Sequence, residues 1–215
     1  MDTPLARSAP PRACRPFRFP RLLLAAVLAC ALGGCASGGG VGKAVNRTLE
    51  SVGLRDIDHD ERAGIRTIPL RLYAGDNLNA AGSGRGLATV VKVYHLRGIQ
   101  RFEQVPFDAL LDEAGERAAL GNDLVEAREI VLTPGMREHL DERIAPEVTH
   151  VAVVALFRAP AAHRWRFAFD ARQRGLERDG ITIGLHACAL TSASPALASE
   201  VPGDSSSLVG VRCTG

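Results

Sequence analysis

"VTHVAVVALFR" (Val148 to Arg158) is apolar at nearly every position after its opening residues. A strand with one wet face alternates apolar and polar side chains, so this valine-rich run predicts a central strand covered on both faces. The next stretch, "RWRFAFD" (Arg164 to Asp170), does alternate. Trp165, Phe167 and Phe169 are expected to face inward, and Arg164, Arg166 and Asp170 outward.

The same period of two appears on both sides of this pair. Upstream, "LVEAREIVL" (Leu124 to Leu132) and "MREHLDERI" (Met136 to Ile144) are divided by Thr133-Pro134-Gly135, a turn signal between strands. Further upstream lie "LATVVKVYHLR" (Leu87 to Arg97), rich in β-branched residues, and the alternating Ile68, Leu70 and Leu72. Downstream, Ile181, Ile183 and Leu185 alternate, and Val209 and Val211 close the chain as a last strand-like segment. Roughly eight short strands predict an all-β, two-sheet antiparallel sandwich.

One segment has a helical period. In "PFDALLDEAGERAAL" (Pro106 to Leu120), Phe107, Leu110, Leu111 and Ala114 share one helical face. Pro106 supplies a first turn and Gly121-Asn122 a stop. Residues 43–64 carry Val45, Leu49 and Val52 at helical spacing and then a charge run, which reads as a short helix followed by solvated chain.

The N-terminus has a separate logic. Arg7, Arg12, Arg15, Arg18 and Arg21 precede an apolar run from Leu22 to Leu32. A basic region, a short apolar region and small residues form the pattern of a secretory signal. The run is well short of the ~20 residues a spanning helix needs. It ends in Leu32-Gly33-Gly34-Cys35, which resembles a bacterial lipobox, with Cys35 as the lipidated residue. Val27-Leu28-Ala29-Cys30 fits the same pattern but leaves an apolar region of only about eight residues. An ordinary signal with an incidental cysteine is the remaining alternative. Each buried acyl methylene contributes about 0.8 kcal/mol, so acyl chains on Cys35 would anchor the protein firmly in outer-membrane lipid. Ala36, where inner-membrane lipoproteins usually carry Asp, resembles the outer-membrane-sorted class, and Ser37 to Gly42 are small and flexible, as in a tether. The expected organisation is a signal over 1–34, a lipidated N-terminus and tether over 35–64, and a β-sandwich over 65–215.

Of 26 basic and 24 acidic residues, the signal holds five and one, leaving 21 and 23 for the remainder. That balance implies no nucleic-acid face. The cysteines after Cys35 are Cys188 and Cys213, both near the C-terminus on either side of a Pro/Ser-rich loop. An oxidising periplasm allows them to pair, and two separate buried thiols are the other reading.

Motifs for chemistry are weak. "SGGGVGK" (Ser37 to Lys43) lacks the first glycine and the Ser/Thr of a phosphate loop. Asp56, Asp58 and Asp60 resemble the start of a calcium loop, but Glu61 and Thr67 stand where Gly and Glu are needed. "AGSGR" around Ser83 lacks the first glycine of a nucleophile elbow. His59, His95, His139, His150, His163 and His186 are dispersed and are expected at the surface or strand edges. No catalytic constellation, metal site or cofactor is implied. The insert "AGDNLNAAGSGRG" (Ala74 to Gly86) is more informative, because a loop this long between adjacent strands is usually functional or disordered. Leu78 is its one large apolar residue, expected either as an exposed anchor for a protein partner or folded back on the core.

In order along the chain, the lipobox at Cys35, "LYAGDNLNAAGSGRGLATVVKVYHLR", "RFEQVPFDALL", "IVLTPGM" and "VTHVAVVALFR" with "HRWRF" resemble the TssJ lipoproteins of type VI secretion systems. His95 stands where the family usually has Gln, and Ala88-Thr89 where it often has Pro-Val. The resemblance implies a transthyretin-like sandwich with a helical insertion, held in the inner leaflet of the outer membrane. It implies a partner, the periplasmic C-terminal region of the inner-membrane protein TssM, and no turnover. The resemblance further implies that the loop between the first two strands carries that contact, which here gives Gly75, Asp76, Asn77, Leu78, Asn79, Ser83 and Arg85. A hydrolase or a small-ligand binder on the same fold is the alternative.

Overall fold

The computed structural model describes residues 63–80 and 84–213. The signal, Cys30, Cys35, the tether up to residue 62 and the expected helix after residue 43 lie outside the described residues. The elements in chain order are β1 (Arg66–Ala74), β2 (Thr89–Leu96), α1 (Gln100–Gln104), α2 (Glu113–Leu120), β3 (Leu124–Leu132), β4 (Arg137–Ile144), β5 (His150–Ala155), β6 (Arg166–Asp170), α3 (Leu176–Asp179), β7 (Ile181–Leu185) and β8 (Leu190–Thr191).

The strands form two four-stranded sheets, ordered β4-β1-β7-β8 and β3-β2-β5-β6, and the fold is an all-β sandwich. Five of the six pairings are antiparallel. The exception is β1 with β7, which run parallel with Leu70 opposite Ile181. Parallel neighbours need a long crossover, and here the whole second sheet intervenes between them in sequence.

Ile68, Leu70 and Leu72 of β1 and Ile181, Ile183 and Leu185 of β7 are buried, as are Val91, Val93, Val151, Val153, Phe167 and Phe169 of the second sheet. Alternation along each strand sends these side chains into the space between the sheets. The second sheet is also covered on its other face. There Tyr94, Leu96, Ala152, Val154 and Ala168 are buried, with the Tyr94 and Phe102 rings 6.2 Å apart and Phe107 edge-on to Trp165 at 5.0 Å. This double cover is why β5 has no polar face.

The helical insertion departs from the expected single helix. A 3-10 turn at Asp108–Leu110 ends at Leu111, and α2 starts afresh at Glu113. The cause is Asp112, whose carboxylate accepts the Gly115 amide at 2.8 Å and caps α2, a role that holds its own backbone extended. Helix α1 was not anticipated. The Arg166 guanidinium secures it by donating to the Glu103 and Val105 carbonyls, where a cation suits a helix C-terminus.

Three further expectations are corrected. Arg164 does not face outward: it is buried, with its guanidinium donating to the carbonyls of Pro202, Asp204, Ser205 and Ser207. Val209 and Val211 form no strand. Val209 is 91% exposed, and the first sheet closes with β8. His95 is buried, with Nε2 3.0 Å from Glu142 Oε2 and Nδ1 3.3 Å from Glu126 Oε2. Arg128 also reaches Glu142, so this polar group closes the sandwich on the side where edge strands β3 and β4 lie. The charges along those two edges discourage strand addition from another chain.

Candidate partner-binding site

The β1–β2 connection is a built loop rather than a slack one. Its backbone turns on itself through Leu78 N to Gly75 O (2.9 Å), Ala80 N to Asn77 O (3.1 Å) and Leu87 N to Leu78 O (2.8 Å). It is fastened to the β7–β8 turn by Gly75 N to Leu185 O (2.8 Å) and Asn79 N to His186 O (3.0 Å). The β3–β4 turn closes on it through Ala74 N to Met136 O at 2.9 Å. Gly86 passes so near the start of its own loop and the β3–β4 turn that a Cβ there would meet the Asp76 carbonyl oxygen at 2.3 Å and Pro134 Cγ at 2.9 Å. No other residue fits that position.

Leu78 is not an exposed anchor. It is fully buried and packs within the main core. Hydrogen bonds to two other turns force this, because they draw the middle of the loop down onto the end of the sandwich. Asn79 is buried too, with a left-handed backbone (φ 54°) that asparagine tolerates better than most residues. Its Oδ1 accepts the Arg158 amide at 2.8 Å and its Nδ2 donates to Ala88 O at 3.3 Å. One side chain thus ties the β1–β2 loop to the β5–β6 loop.

The remaining loop residues point differently. Asp76, Asn77 and Arg85 are exposed, Gly75 is half-buried, and Ser83 lies outside the described residues. Beside Asp76 is a cleft of about 550 Å³ walled by Tyr73, Gly75, Gly135, Arg137 and His186. Arg137 stacks over the Tyr73 ring at 5.6 Å. Burial lowers the proton affinity of His186 below the usual histidine range, which favours a neutral ring beside Thr191 Oγ1 (3.0 Å). This end of the sandwich therefore presents a hydrogen-bonded loop with Asp76, Asn77 and Arg85 exposed beside Arg137.

Cys188 and Cys213 are bonded, with Cα atoms 5.6 Å apart. Among the described residues no group of three or more His, Cys, Asp and Glu could hold a metal ion. Nor is any described helix long and apolar enough to cross a membrane.

Residues 66–188 match the model of a family described as type VI secretion lipoprotein, VasD, EvfM, TssJ. The chain belongs to this family. TssJ proteins are membrane-bound lipoproteins of the type VI secretion system. Among solved structures, the T6SS lipoprotein TssJ1 from Pseudomonas aeruginosa is 25% identical, with a TM-score of 0.53 over 63% of this chain and 98% of its own. A chain of the structure described as "Type VI membrane complex" is 24% identical, with a TM-score of 0.54 over 60% of this chain and 98% of its own. A chain of the structure described as "T6SS protein TssM C-terminal domain", from EAEC, is 22% identical, with a TM-score of 0.50 over the same two shares. No curated protein matches the sequence.

Leu78 and Asn79, expected on the partner-binding loop, thus have buried side chains. Their part is to shape the TssJ-type loop, while Asp76, Asn77 and Arg85 face outward. Arg158, which sequence reasoning missed, joins the site through its backbone amide and so left no side-chain signal.

Proposed function

We propose that this lipoprotein anchors the type VI secretion membrane complex to the outer membrane. Cys35 takes the acyl chains, residues 36–64 act as the tether, and the β1–β2 end of the sandwich binds the periplasmic C-terminal region of a TssM-like inner-membrane protein. The observation that carries this reading is a loop clamped from beneath by buried Leu78 and Asn79 while Asp76, Asn77 and Arg85 face solvent. A pre-shaped loop loses little conformational freedom on binding, so more of its contact energy appears as affinity. Family membership and the occurrence of a similarly folded chain in a structure described for TssM support the choice of partner. The mechanism is mechanical: lipid holds one end and a protein interface the other.

Deleting the whole loop would be a poor test, because it would also remove core residue Leu78. The triple variant D76A/N77A/R85A removes only outward-facing side chains. It is expected to keep the wild-type unfolding midpoint and lose capture of the TssM periplasmic domain. Undiminished capture would rule this contact out. Cys35→Ser, with Cys30 intact, is expected to abolish acylation and shift the protein out of the membrane fraction; persistence of both would move the anchor to Cys30.

A further inference from the structure

The family match ends at Cys188, but the chain continues and folds back over the same end of the molecule. After β8 it runs along the outer edge of β6, where Asp170 N donates to Ala196 O and Ala198 N to Ala168 O, both at 2.8 Å. It then forms a strap over residues 202–213. Its first half is held by the Arg164 guanidinium on four carbonyls. Ser205 and Ser192 add two bonds, Ser192 N to Ser205 O at 3.0 Å and Ser205 Oγ to Ser192 O at 2.9 Å.

Beyond Ser207 the kind of attachment changes. Among the described residues, the hydrogen bonds of residues 208–213 stay within the strap itself, Val209 N to Ser207 Oγ and Val211 N to Leu208 O, both at 3.1 Å. Two things hold this end. One is the Cys188–Cys213 bond, and the other is Val211, which packs against Ala161, Cys188 and Ala189.

Cys188 lies in the β7–β8 turn, and that turn receives the loop. The Leu185 and His186 carbonyls accept the Gly75 and Asn79 amides, and the Cys188 carbonyl accepts the Ala161 amide at 2.9 Å. Ala161 belongs to the β5–β6 loop, whose Arg158 amide is held by Asn79. Strap, β7–β8 turn, β1–β2 loop and β5–β6 loop therefore form one closed circuit, and the disulfide is its covalent link. We infer that the C-terminal strap is a clasp, added beyond the shared family fold, that holds the β7–β8 turn and so keeps the β1–β2 loop in its binding shape. The inference rests on that loop being the partner contact. Cys188, Cys213 and Arg164 are positioning residues in it.

The test compares the full chain in detergent with two variants, Cys213→Ser and the double variant C188A/C213A, the second removing any effect of a freed thiol. Trp165, the single tryptophan, reports whether each still unfolds cooperatively. Amide hydrogen exchange is read at Gly75 and Asn79, and affinity for the TssM periplasmic domain by calorimetry. Both variants are expected to fold, to exchange about tenfold faster at those two amides, and to bind about tenfold more weakly. Unchanged exchange at both amides in both variants overturns the clasp. Faster exchange with unaltered affinity also overturns it, because the loop would then need no pre-shaping. A wild-type protein that does not bind the domain refutes the contact itself, whatever the exchange shows.

Discussion

Leu78→Ala is expected to lower the unfolding free energy by about 2–5 kcal/mol, the range for truncating a buried leucine to leave a cavity. Urea unfolding followed by Trp165 fluorescence reads this as a shifted midpoint with an unchanged slope. The size of the effect follows from burial: Leu78 has no exposed surface and belongs to the main core cluster. Had it been a contact residue on the loop surface, the same change would weaken binding and leave the midpoint in place. An unshifted midpoint would therefore return Leu78 to the surface. The loop's backbone bonds to Leu185 and His186 come from Gly75 and Asn79, which lie on either side of Leu78 in the chain. On the proposed contact, capture of the TssM domain is expected to weaken as a consequence of lost shape.

The second large effect concerns the helical insertion. Lys92 points from β2 toward α2, where its Nζ lies 2.6 Å from Glu116 Oε2 and 3.0 Å from Glu129 Oε1. The Tyr94 hydroxyl donates to the same Glu116 oxygen at 2.8 Å. Lys92 and Glu116 are both buried. Glu116→Ala would leave an ammonium and a phenol without their principal acceptor, a loss expected to cost about 3–5 kcal/mol. Replacing both members, as in K92M/E116L, is expected to recover most of that cost, because the desolvated charges go together. If the double variant is as unstable as the single one, the pair contributes through shape rather than charge.

The same cluster sets a pH dependence. Burial disfavours the Lys92 ammonium, but hydrogen bonds and attraction from Glu116 and Glu129 outweigh it and raise its pKa. Burial is the leading cause that raises Tyr94, followed by its bond to Glu116. Both groups thus hold their protons more tightly folded than unfolded. Their contribution is complete below about pH 10, the ordinary range of both groups, and is lost as pH rises beyond it. Glu116→Ala should flatten the alkaline fall in stability.

Much of the fold was readable because β5, β6 and β7 carry their patterns in contiguous residues. "VTHVAVVALFR" announced a strand covered twice, and the covers proved to be the first sheet and the helical insertion. Asp112 was legible in principle as a helix cap, but the apolar spacing from Phe107 to Ala114 outweighed it in the reading. Arg164 could not be read correctly from alternation. Its burial depends on carbonyls of residues 202–207, which reach it only after the chain has passed through β7 and β8. His95 is similar, since its two carboxylates come from β3 and β4.

The candidate site divides along the same line. The connection between the first two strands was legible, because a polar, glycine-rich insert between strand patterns marks one. Which of its residues face solvent was not legible.

The sequence by itself determined the all-β class, the approximate strand set, the loop that interrupts it and the lipobox-like pattern at Cys35. These depend on periodicity, spacing and residue type along a short stretch. Only the tertiary structure decided that Leu78 and Asn79 face inward while Asp76, Asn77 and Arg85 face outward, and that the C-terminal strap closes on Cys188. The physical reason is that burial of a loop residue is settled by partners far away in sequence. The Arg158 amide meets Asn79 from 79 positions further along the chain, and no local pattern encodes that meeting.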